Sequence, residues 1–477
     1  METTQVSTTP IKEQSEWKFQ LTRIYTIVCL NVLYALVSFQ KQCPSVVAED
    51  MAQAYKVTTK ELGVFSSVYF YPYAFTQPFA GLLADVVDPA LVVGCSCLVA
   101  GAGSIIIGFS KSLALGIFGR LLVGLGCGPT YVSTCRVITS WFKLSQVPAV
   151  YGILVASAGI GGILAAAPLA LFIEKAGWQA AFWGIGGIGC VISIIVLIFV
   201  RGNPMNKGFK AVNEELASPT TAMPIRQKLT MLWINFKTVV VYGYFWLVTF
   251  YNMLASGPYF NIAGYWGGPY LVDVLGYTKK EKGITLISIS IGLILGSLTL
   301  PNISTLLHTK KWMLFFSSCV AFTVTLILFF LGKSFSNTVI WILYILVGTF
   351  TGSLISISYP LMSSYFHPSI AGSAVGIGNF FLFMSSAIFQ QISTSTIPLK
   401  GHDEISHRYT WEGYKYGLWL FSAVTLGVSA ITILFAKENS PQKKEDPTKA
   451  IPNEKSMSSD DIKDSVEEDA ESEAVSV

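Results

Sequence analysis

Apolar stretches of about 20 residues or more alternate with short polar segments along most of this chain. Six stretches fall near residues 22–53, 62–84, 90–109, 113–140, 149–173 and 179–200, and six more near 239–272, 282–301, 311–332, 337–360, 371–396 and 414–436. A helix of about 20 apolar residues crosses the ~30 Å hydrocarbon core of a bilayer. The pattern therefore predicts an all-α membrane protein with twelve transmembrane helices.

The polar segments divide the chain into five predicted parts. We expect a disordered cytoplasmic N-terminus (1–20), a first six-helix bundle (21–200), a basic cytoplasmic linker loop (201–237), a second six-helix bundle (238–436) and a disordered acidic cytoplasmic tail (437–477). Twelve spans place both termini and the linker on the same side, and the basic linker favours the cytoplasm.

The two halves repeat each other in sequence. Residues 55–63 (YKVTTKELG) resemble residues 275–283 (LGYTKKEKG) at a displacement of 220, and Gly124 and Gly128 recur as Gly348 and Gly352 at a displacement of 224. Repeats that each contain an even number of spans have the same orientation in the membrane. We therefore predict two parallel six-helix repeats.

Composition excludes several classes of protein. Apolar residues make up 52% of the chain and charged residues 13%, which is far too apolar for a soluble protein of this length. The net charge of +4 suggests no nucleic-acid partner. The eight cysteines lie mostly in apolar stretches without metal-ligand spacing, and no catalytic motif is present. We expect neither an enzyme nor a bound metal or cofactor.

The fourth stretch carries two arginines, Arg120 and Arg136, at membrane depth. A charge there costs a few kcal/mol and survives mainly where it faces a polar interior. Pro129 interrupts the backbone hydrogen bonds near the middle of this stretch. On an ideal helix five residues project within about 40° of one line and form a polar stripe: Arg120, Gly124, Cys127, Tyr131 and Thr134. We expect this helix to line a polar cavity.

Two motifs resemble those of the major facilitator superfamily. The segment QPFAGLLAD (77–85) is similar to the superfamily's loop motif between the second and third helices, and RLLVGLG (120–126) is similar to its fourth-helix motif. The resemblance implies the twelve-helix fold, transport of a solute, and structural roles for the motif residues Gly81, Asp85, Gly124, Gly128 and Pro129.

The first half also resembles the anion:cation symporter group and bacterial carriers that include intraphagosomal amino acid transporters. The first likeness rests on GLGCGP (124–129) and SAGIGG (157–162), and the second on PSVV (44–47) and YFYPY (69–73).

The chain departs from the symporters where they carry acids. Gln40 and Lys41 stand where they have an Asp-Arg pair, and Cys127 stands where they have an acid. Proton symport needs a titrating group at membrane depth, so we expect uniport or exchange. The alternative is that Glu49 or Asp50 replaces the missing acids in a proton-coupled symporter.

Candidate solute-binding residues are basic, amide and aromatic side chains: Arg120, Lys41, Arg136, Tyr131, Asn31, Tyr34, Tyr73, Gln77, Tyr259, Asn261 and Asn379. Arg120 either faces the cavity or bonds backbone carbonyls. Arg136 either faces the cavity or is structural, pairing with Asp85 or extending to the interface. Lys41 contacts either the solute or the outer surface, and each amide or tyrosine could instead join helices.

Together these features predict a multi-pass carrier of a small polar solute, an organic anion or amino acid, that works by alternating access as a monomer in the bilayer. The competing hypothesis is a solute sensor with a transporter fold. We expect the plasma membrane, with an endosomal or lysosomal membrane as the alternative.

Overall fold

The computed structural model of the protein describes residues 16–143, 146–212, 225–403 and 408–438. The predicted acidic tail beyond 438 and the first 15 residues lie outside these ranges. The first half contains α1 (Glu16–Gln42), α2 (Pro44–Tyr55), α3 (Thr59–Ser67), α4 (Phe70–Val86), α5 (Pro89–Phe109), α6 (Leu113–Cys127), α7 (Thr130–Trp141), α8 (Val147–Leu164) and α9 (Ala167–Phe199). Helix α1 thus starts inside the N-terminal segment that we predicted to be disordered.

The second half is also helical. It contains α10 (Ile225–Val241), α11 (Gly243–Asn261), α12 (Gly267–Asp273), α13 (Lys279–Leu306), α14 (Lys311–Leu331), α15 (Asn337–Val347), α16 (Ile355–Ser363), α17 (Pro368–Thr396), α18 (Trp411–Tyr414) and α19 (Phe421–Leu434). Two short antiparallel strands, β1 (His402–Asp403) and β2 (Arg408–Tyr409), pair between α17 and α18. Helix α10 occupies much of the predicted linker loop, which is therefore not a simple loop.

The described helices are consistent with twelve spans. Nine are long and apolar enough to cross a membrane, and a tenth forms if α11–α12 is joined to the end of α10, which meets it at 85°. The pair α3–α4 covers the second predicted span. Gly177 interrupts α9 with φ 81°, a backbone conformation that favours glycine, so α8 with the start of α9 corresponds to the fifth predicted span and the rest of α9 to the sixth.

Several spans are broken at positions that the sequence explains. Pro44 has no backbone N–H to continue α1, and a new helix, α2, begins there. Gly128 and Pro129 separate α6 from α7, as the sequence predicted. Pro258 lies inside α11, and a π-helical turn over Ile262–Trp266 follows it. Such irregular backbone inside a membrane protein is tolerated where it borders a cavity or packs on protein.

The internal repeat appears as matching local structure. Thr58 caps α3 by accepting a hydrogen bond from the N–H of Glu61, whose carboxylate accepts from the N–H of Thr58. Thr278 and Glu281 form the same reciprocal cap on α13. These four residues lie in the two similar segments at a displacement of 220, so the sequence repeat encodes the start of the second helix in each half.

Glycines mark where helices touch through their backbones. A Cβ on Gly124 would overlap the carbonyl oxygen of Tyr69, and a Cβ on its repeat counterpart Gly348 would overlap that of Ile289. A Cβ on Gly268 would overlap the carbonyl oxygen of Ser45 in the other half. Close approach of this kind depends on the absence of a side chain. In contrast, a Cβ on Gly81 would have no heavy atom within 4 Å.

Candidate functional site

A cavity of about 130 Å³ lies between the two halves of the protein. The first half contributes mostly polar and aromatic side chains: Tyr34, Ser38, Lys41, Gln42, Tyr73, Gln77, Tyr131, Val155 and Ala158. The second half contributes Tyr259, Phe260, Leu293, Ser297, Gly352, Ile355, Ser356, Tyr359, Asn379 and Phe383. Its lining thus combines apolar walls with a few polar groups, as small-molecule sites do.

Lys41 supplies the positive charge of this cavity. Its side chain is 8% exposed, and Nζ donates a hydrogen bond of 3.0 Å to the hydroxyl of Tyr73. The ammonium lies 4.2 Å from the ring centre of Tyr73 and 4.8 Å from that of Phe383, which belongs to the second half. Aromatic faces stabilise a cation electrostatically. Within the described part of the chain, no carboxylate lines the cavity.

Amide groups cross the cavity from one half to the other. Gln77 donates to the carbonyl of Gly128 at 3.1 Å, and its Oε1 accepts from Asn379 Nδ2 at 3.4 Å. Tyr359 donates to Asn379 Oδ1. Gln77 belongs to the first half and Asn379 to the second, so separating the halves would break this chain of hydrogen bonds.

Tyr259 is a second polar group of interest. It is 3% exposed and lines the cavity, yet its hydroxyl has no hydrogen-bond partner within the described ranges. A buried hydroxyl without a partner carries a cost of about 1–3 kcal/mol. A solute that offered it a hydrogen bond would remove that cost.

Arg120 lies outside the cavity, so the expectation that it faces the solute does not match the structure. Its guanidinium donates to the backbone carbonyl of Gln40 at 2.6 Å and to the side-chain oxygen of Gln40 at 3.4 Å. It also lies 4.8 Å from the ring centre of Tyr69. The residue is fully buried. Arg120 therefore joins the fourth span to the first, which is the backbone-bonding role that we considered as the alternative.

Three other candidates also lie away from the cavity lining. Asn31 donates to the carbonyl of Ile27 within its own helix, and Asn261 donates to Ser393 at 2.8 Å, joining α11 to α17. Arg136 is exposed on α7. The side chain of Asp85, its proposed partner, lies outside what the structure describes. In contrast, the structure brings together Lys41, Tyr34, Tyr73, Gln77, Tyr131, Tyr259 and Asn379.

The internal repeat could have identified several lining residues that sequence reasoning missed. A displacement of 220 carries Tyr73 to Leu293 and Gln77 to Ser297, and a displacement of 224 carries Tyr131 to Ile355. All of these line the cavity. The repeat therefore marks these positions in the sequence. Leu293 and Ile355 were missed because they are apolar and the candidates were chosen among basic, amide and aromatic side chains.

Cross-half contacts close one end of the cavity. Lys282 Nζ, in α13, lies 2.9 Å from Glu49 Oε1 in α2 and donates to the carbonyl of Val46 at 3.2 Å. Lys279 Nζ lies 2.5 Å from Asp50 Oδ1. Glu49 and Asp50 are thus engaged by lysines of the second half and do not line the cavity.

Further hydrogen bonds join the halves at this closed end. Tyr265 donates to the carbonyl of Thr59 at 2.5 Å, and the N–H of Lys60 donates to the hydroxyl of Tyr409 at 3.1 Å. Tyr409 lies in β2, outside the membrane, and its burial raises the pKa of its hydroxyl, which favours the neutral form.

Comparisons with known proteins agree with this architecture. The family model of the Major Facilitator Superfamily matches residues 30–390. Among solved structures, the fold is similar to that of a bacterial homologue of the human lysosomal transporter Spinster. The similarity has a TM-score of 0.67 and covers 87% of this chain and 97% of that one, at 14% sequence identity. At such low identity the match shows the fold alone.

Curated relatives match over part of their length. The probable sulfoacetate transporter SauU of Cupriavidus necator is 24% identical over 55% of this chain and 59% of that protein. A probable hexose phosphate transport protein of Chlamydia muridarum is 24% identical over 50% of this chain and 54% of that protein. The membrane sensor protein UhpC of Escherichia coli is 21% identical over 60% of this chain and 66% of that protein. The matched region therefore spans between half and two thirds of these relatives.

Proposed function

The chain belongs to the Major Facilitator Superfamily, and we propose that it carries a small organic anion across a membrane by alternating access. The observation that carries this proposal is the buried ammonium of Lys41 in a cavity whose described lining residues include no carboxylate. A buried cation favours an anionic ligand, because a buried charge that lacks a partner is costly and an anion offsets part of that cost. Relatives named as sulfoacetate and hexose phosphate transporters support an anion.

An organic anion fits this lining better than an amino acid does. The ammonium of an amino acid would need an acceptor, and Lys41 would repel it at short range. The lining groups with acceptor capacity are neutral hydroxyls and amides, such as Ser38, Gln42 and Asn379. The cavity volume of about 130 Å³ is suited to a small solute.

Uniport or exchange is the mode of transport that the described residues support. Among the residues that the structure describes, no Asp, Glu or His lines the cavity, and Glu49 and Asp50 are paired at the closed end with Lys282 and Lys279. A proton-coupled carrier would need a titrating group that changes its exposure between the two sides of the membrane. In liposomes loaded with a pH-sensitive dye, solute entry should leave internal pH unchanged. Uphill accumulation driven by a pH gradient would instead establish symport.

The decisive experiment compares binding and flux with Lys41 altered. A thermal-shift screen of small carboxylates, sulfonates and phosphate esters on the purified full chain would find a ligand, because ligands stabilise the folded form. Lys41→Gln should then weaken its binding roughly 10- to 150-fold, the range for a hydrogen bond to a charged group of about 1.5–3 kcal/mol. Lys41→Arg should restore part of it.

Lys400→Gln, which removes an exposed charge over the ring of Tyr416, is the matched control and should bind normally. Unchanged affinity in Lys41→Gln would contradict the proposal. Binding without any flux in liposomes would favour the sensor hypothesis, to which the resemblance to UhpC gives weight.

Orientation and location are part of the proposal. We place both termini on the cytoplasmic side, in the plasma membrane in preference to an endosomal or lysosomal one, with a monomer as the working unit. The end closed by Lys282 and Glu49 is then the outer end. A cysteine at Lys333, which is exposed at the outer end, should react with an impermeant reagent on intact cells, and one at Ser218 should not.

A further inference from the structure

Helix α10 runs along the membrane surface. It ends at Val241, and its last turns meet the span that begins at Gly243 at an angle of 85°. Because that span crosses the bilayer, a helix nearly perpendicular to it lies close to the plane of the membrane. The connection between them is a single residue, so α10 cannot move far from the end of the span.

One side of α10 packs against the protein. Val239 is fully buried, and Asn235, one turn earlier, donates to Ser373 of α17 at 3.3 Å. Trp246 donates to the carbonyl of Val240 at 2.7 Å and so satisfies the end of the helix. These contacts hold α10 in a defined orientation.

The remaining surface of α10 includes large apolar side chains that are exposed. Four of them are 41–57% exposed, and they are Met231, Trp233, Ile234 and Phe236. The rings of Trp233 and Phe236 stack with centroids 5.6 Å apart. Aromatic side chains of this kind are enriched at the boundary between lipid and water.

Positive charge accompanies this surface. On an ideal helix Arg226 and Lys237 project within about 40° of Trp233, and all three are exposed. Lys237 Nζ lies 5.4 Å from the ring centre of Trp233. The sequence contains no Asp or Glu between Glu215 and Asp273. The helix therefore presents cations and aromatic rings without any compensating carboxylate of its own.

We propose that α10 binds the head groups of anionic phospholipids. Its apolar side chains would enter the boundary between head groups and acyl chains, while Arg226 and Lys237 pair with lipid phosphates, as in interfacial amphipathic helices. A lipid partner is favoured over a soluble protein because the helix is joined to a membrane span by one residue and has aromatic side chains at that depth. The inference is independent of the transported solute.

The test measures thermal stability of the purified full chain in detergent micelles to which dioleoylphosphatidylglycerol or dioleoylphosphatidylcholine is added. The anionic lipid should raise the melting temperature more than the zwitterionic lipid does. Each basic residue near an anionic surface contributes about 1 kcal/mol, so Arg226→Gln/Lys237→Gln should weaken the apparent affinity for phosphatidylglycerol about 30-fold. Lys111→Gln/Lys333→Gln removes two exposed charges elsewhere and should retain the wild-type response.

A second measurement uses the unaltered protein and so does not depend on the variant folding. About 1 M NaCl, at which charges are screened beyond ~3 Å, should abolish the preference for phosphatidylglycerol. Equal stabilisation by both lipids, or an equal loss in the two double variants, would overturn the proposal.

Discussion

Lys282 of α13 and Glu49 of α2 form an ion pair that joins the two halves of the protein, with Nζ and Oε1 2.9 Å apart. The lysine side chain is 1% exposed and the glutamate side chain 31%. The ammonium also donates to the carbonyl of Val46. Because a buried ammonium without a partner is costly, this pair favours the conformation in which this end is closed.

Exchange of the two charges should show whether this ion pair contributes to closing this end of the cavity during transport. Glu49→Lys brings two ammonium groups together and should reduce solute flux about tenfold, while the double variant Glu49→Lys/Lys282→Glu should recover much of it. The pair Lys415–Glu412, whose atoms are 4.0 Å apart within one half, is the control, and its exchange should leave flux unchanged. A double variant as slow as the single one would count against a gating role.

A cross-link between the halves should stop transport. A Cβ at Gly63, in α3, would lie 3.1 Å from Cβ of Thr394, in α17, close to the spacing of a disulfide. In a background without the native cysteines, oxidation of Gly63→Cys/Thr394→Cys should block flux, and a reductant should restore it. Gly128→Cys/Thr76→Cys has the same 3.1 Å separation within the first half and should remain active when oxidised. Normal flux through the oxidised cross-half pair would rule out separation of the halves at this point.

Arg120→Met should lower stability without changing solute affinity. Loss of the guanidinium leaves the carbonyl of Gln40 without its donor, at a cost of about 2–3 kcal/mol. The melting temperature of purified protein should fall, and KM for flux should stay at the wild-type value. Arg120→Lys should be intermediate, since it offers one donor group and not a planar fork. A raised KM with an unchanged melting temperature would instead indicate that Arg120 contacts the solute.

Tyr259→Phe should raise KM for the solute without lowering stability. Its hydroxyl is buried without a partner, so its removal should not lower the melting temperature. If the solute bonds this hydroxyl, KM should rise about fivefold, as expected for a hydrogen bond of about 1 kcal/mol. Tyr251→Phe is the matched control, because that hydroxyl donates to the carbonyl of Leu314 at 3.0 Å away from the cavity. It should lose stability and keep its KM; an unchanged KM in Tyr259→Phe would show that the hydroxyl does not touch the solute.

Two glycine substitutions test backbone packing in the first half. Gly124→Ala should destabilise the protein by about 1–3 kcal/mol, because the added methyl group would overlap the carbonyl oxygen of Tyr69. Gly152→Ala meets no atom within 4 Å and should be neutral or stabilising by up to about 1 kcal/mol. The difference in thermal melting between the two variants is the measurement, and equal effects would show that the contact at Gly124 relaxes without cost.

Much of the fold was predictable because it depends on local patterns. Hydropathy located the spans. The repeated segments around Thr58 and Thr278 were predicted to be equivalent, and both form the same helix cap. The spacing of Tyr73 and Gln77, one helical turn apart, correctly placed them on one face, and both line the cavity. These features need only the periodicity of a helix.

The position of Arg120 away from the cavity has a physical origin. The polar stripe was projected along one straight helix, but Gly128 and Pro129 separate α6 from α7, and of the stripe residues only Tyr131 lines the cavity. The partner of Arg120 is also a backbone carbonyl, which every residue carries and which no sequence pattern marks. Helix α10 escaped prediction for a related reason, since its tertiary contacts at Asn235 and Val239 cannot be recognised from a polar segment.

The backbone contact of Gly268 with Ser45 has a consequence for the proton gradient across the membrane. These two main chains meet without an intervening side chain, so there is no room for a water molecule between Gly268 and the carbonyl oxygen of Ser45. A space of only about 10–15 Å³ admits a water molecule, so a single methyl group that forces these backbones apart could create a leak. Liposomes that contain Gly268→Ala would then lose an imposed proton gradient even with no solute present. Gly268 would therefore help to keep the protein impermeable to protons.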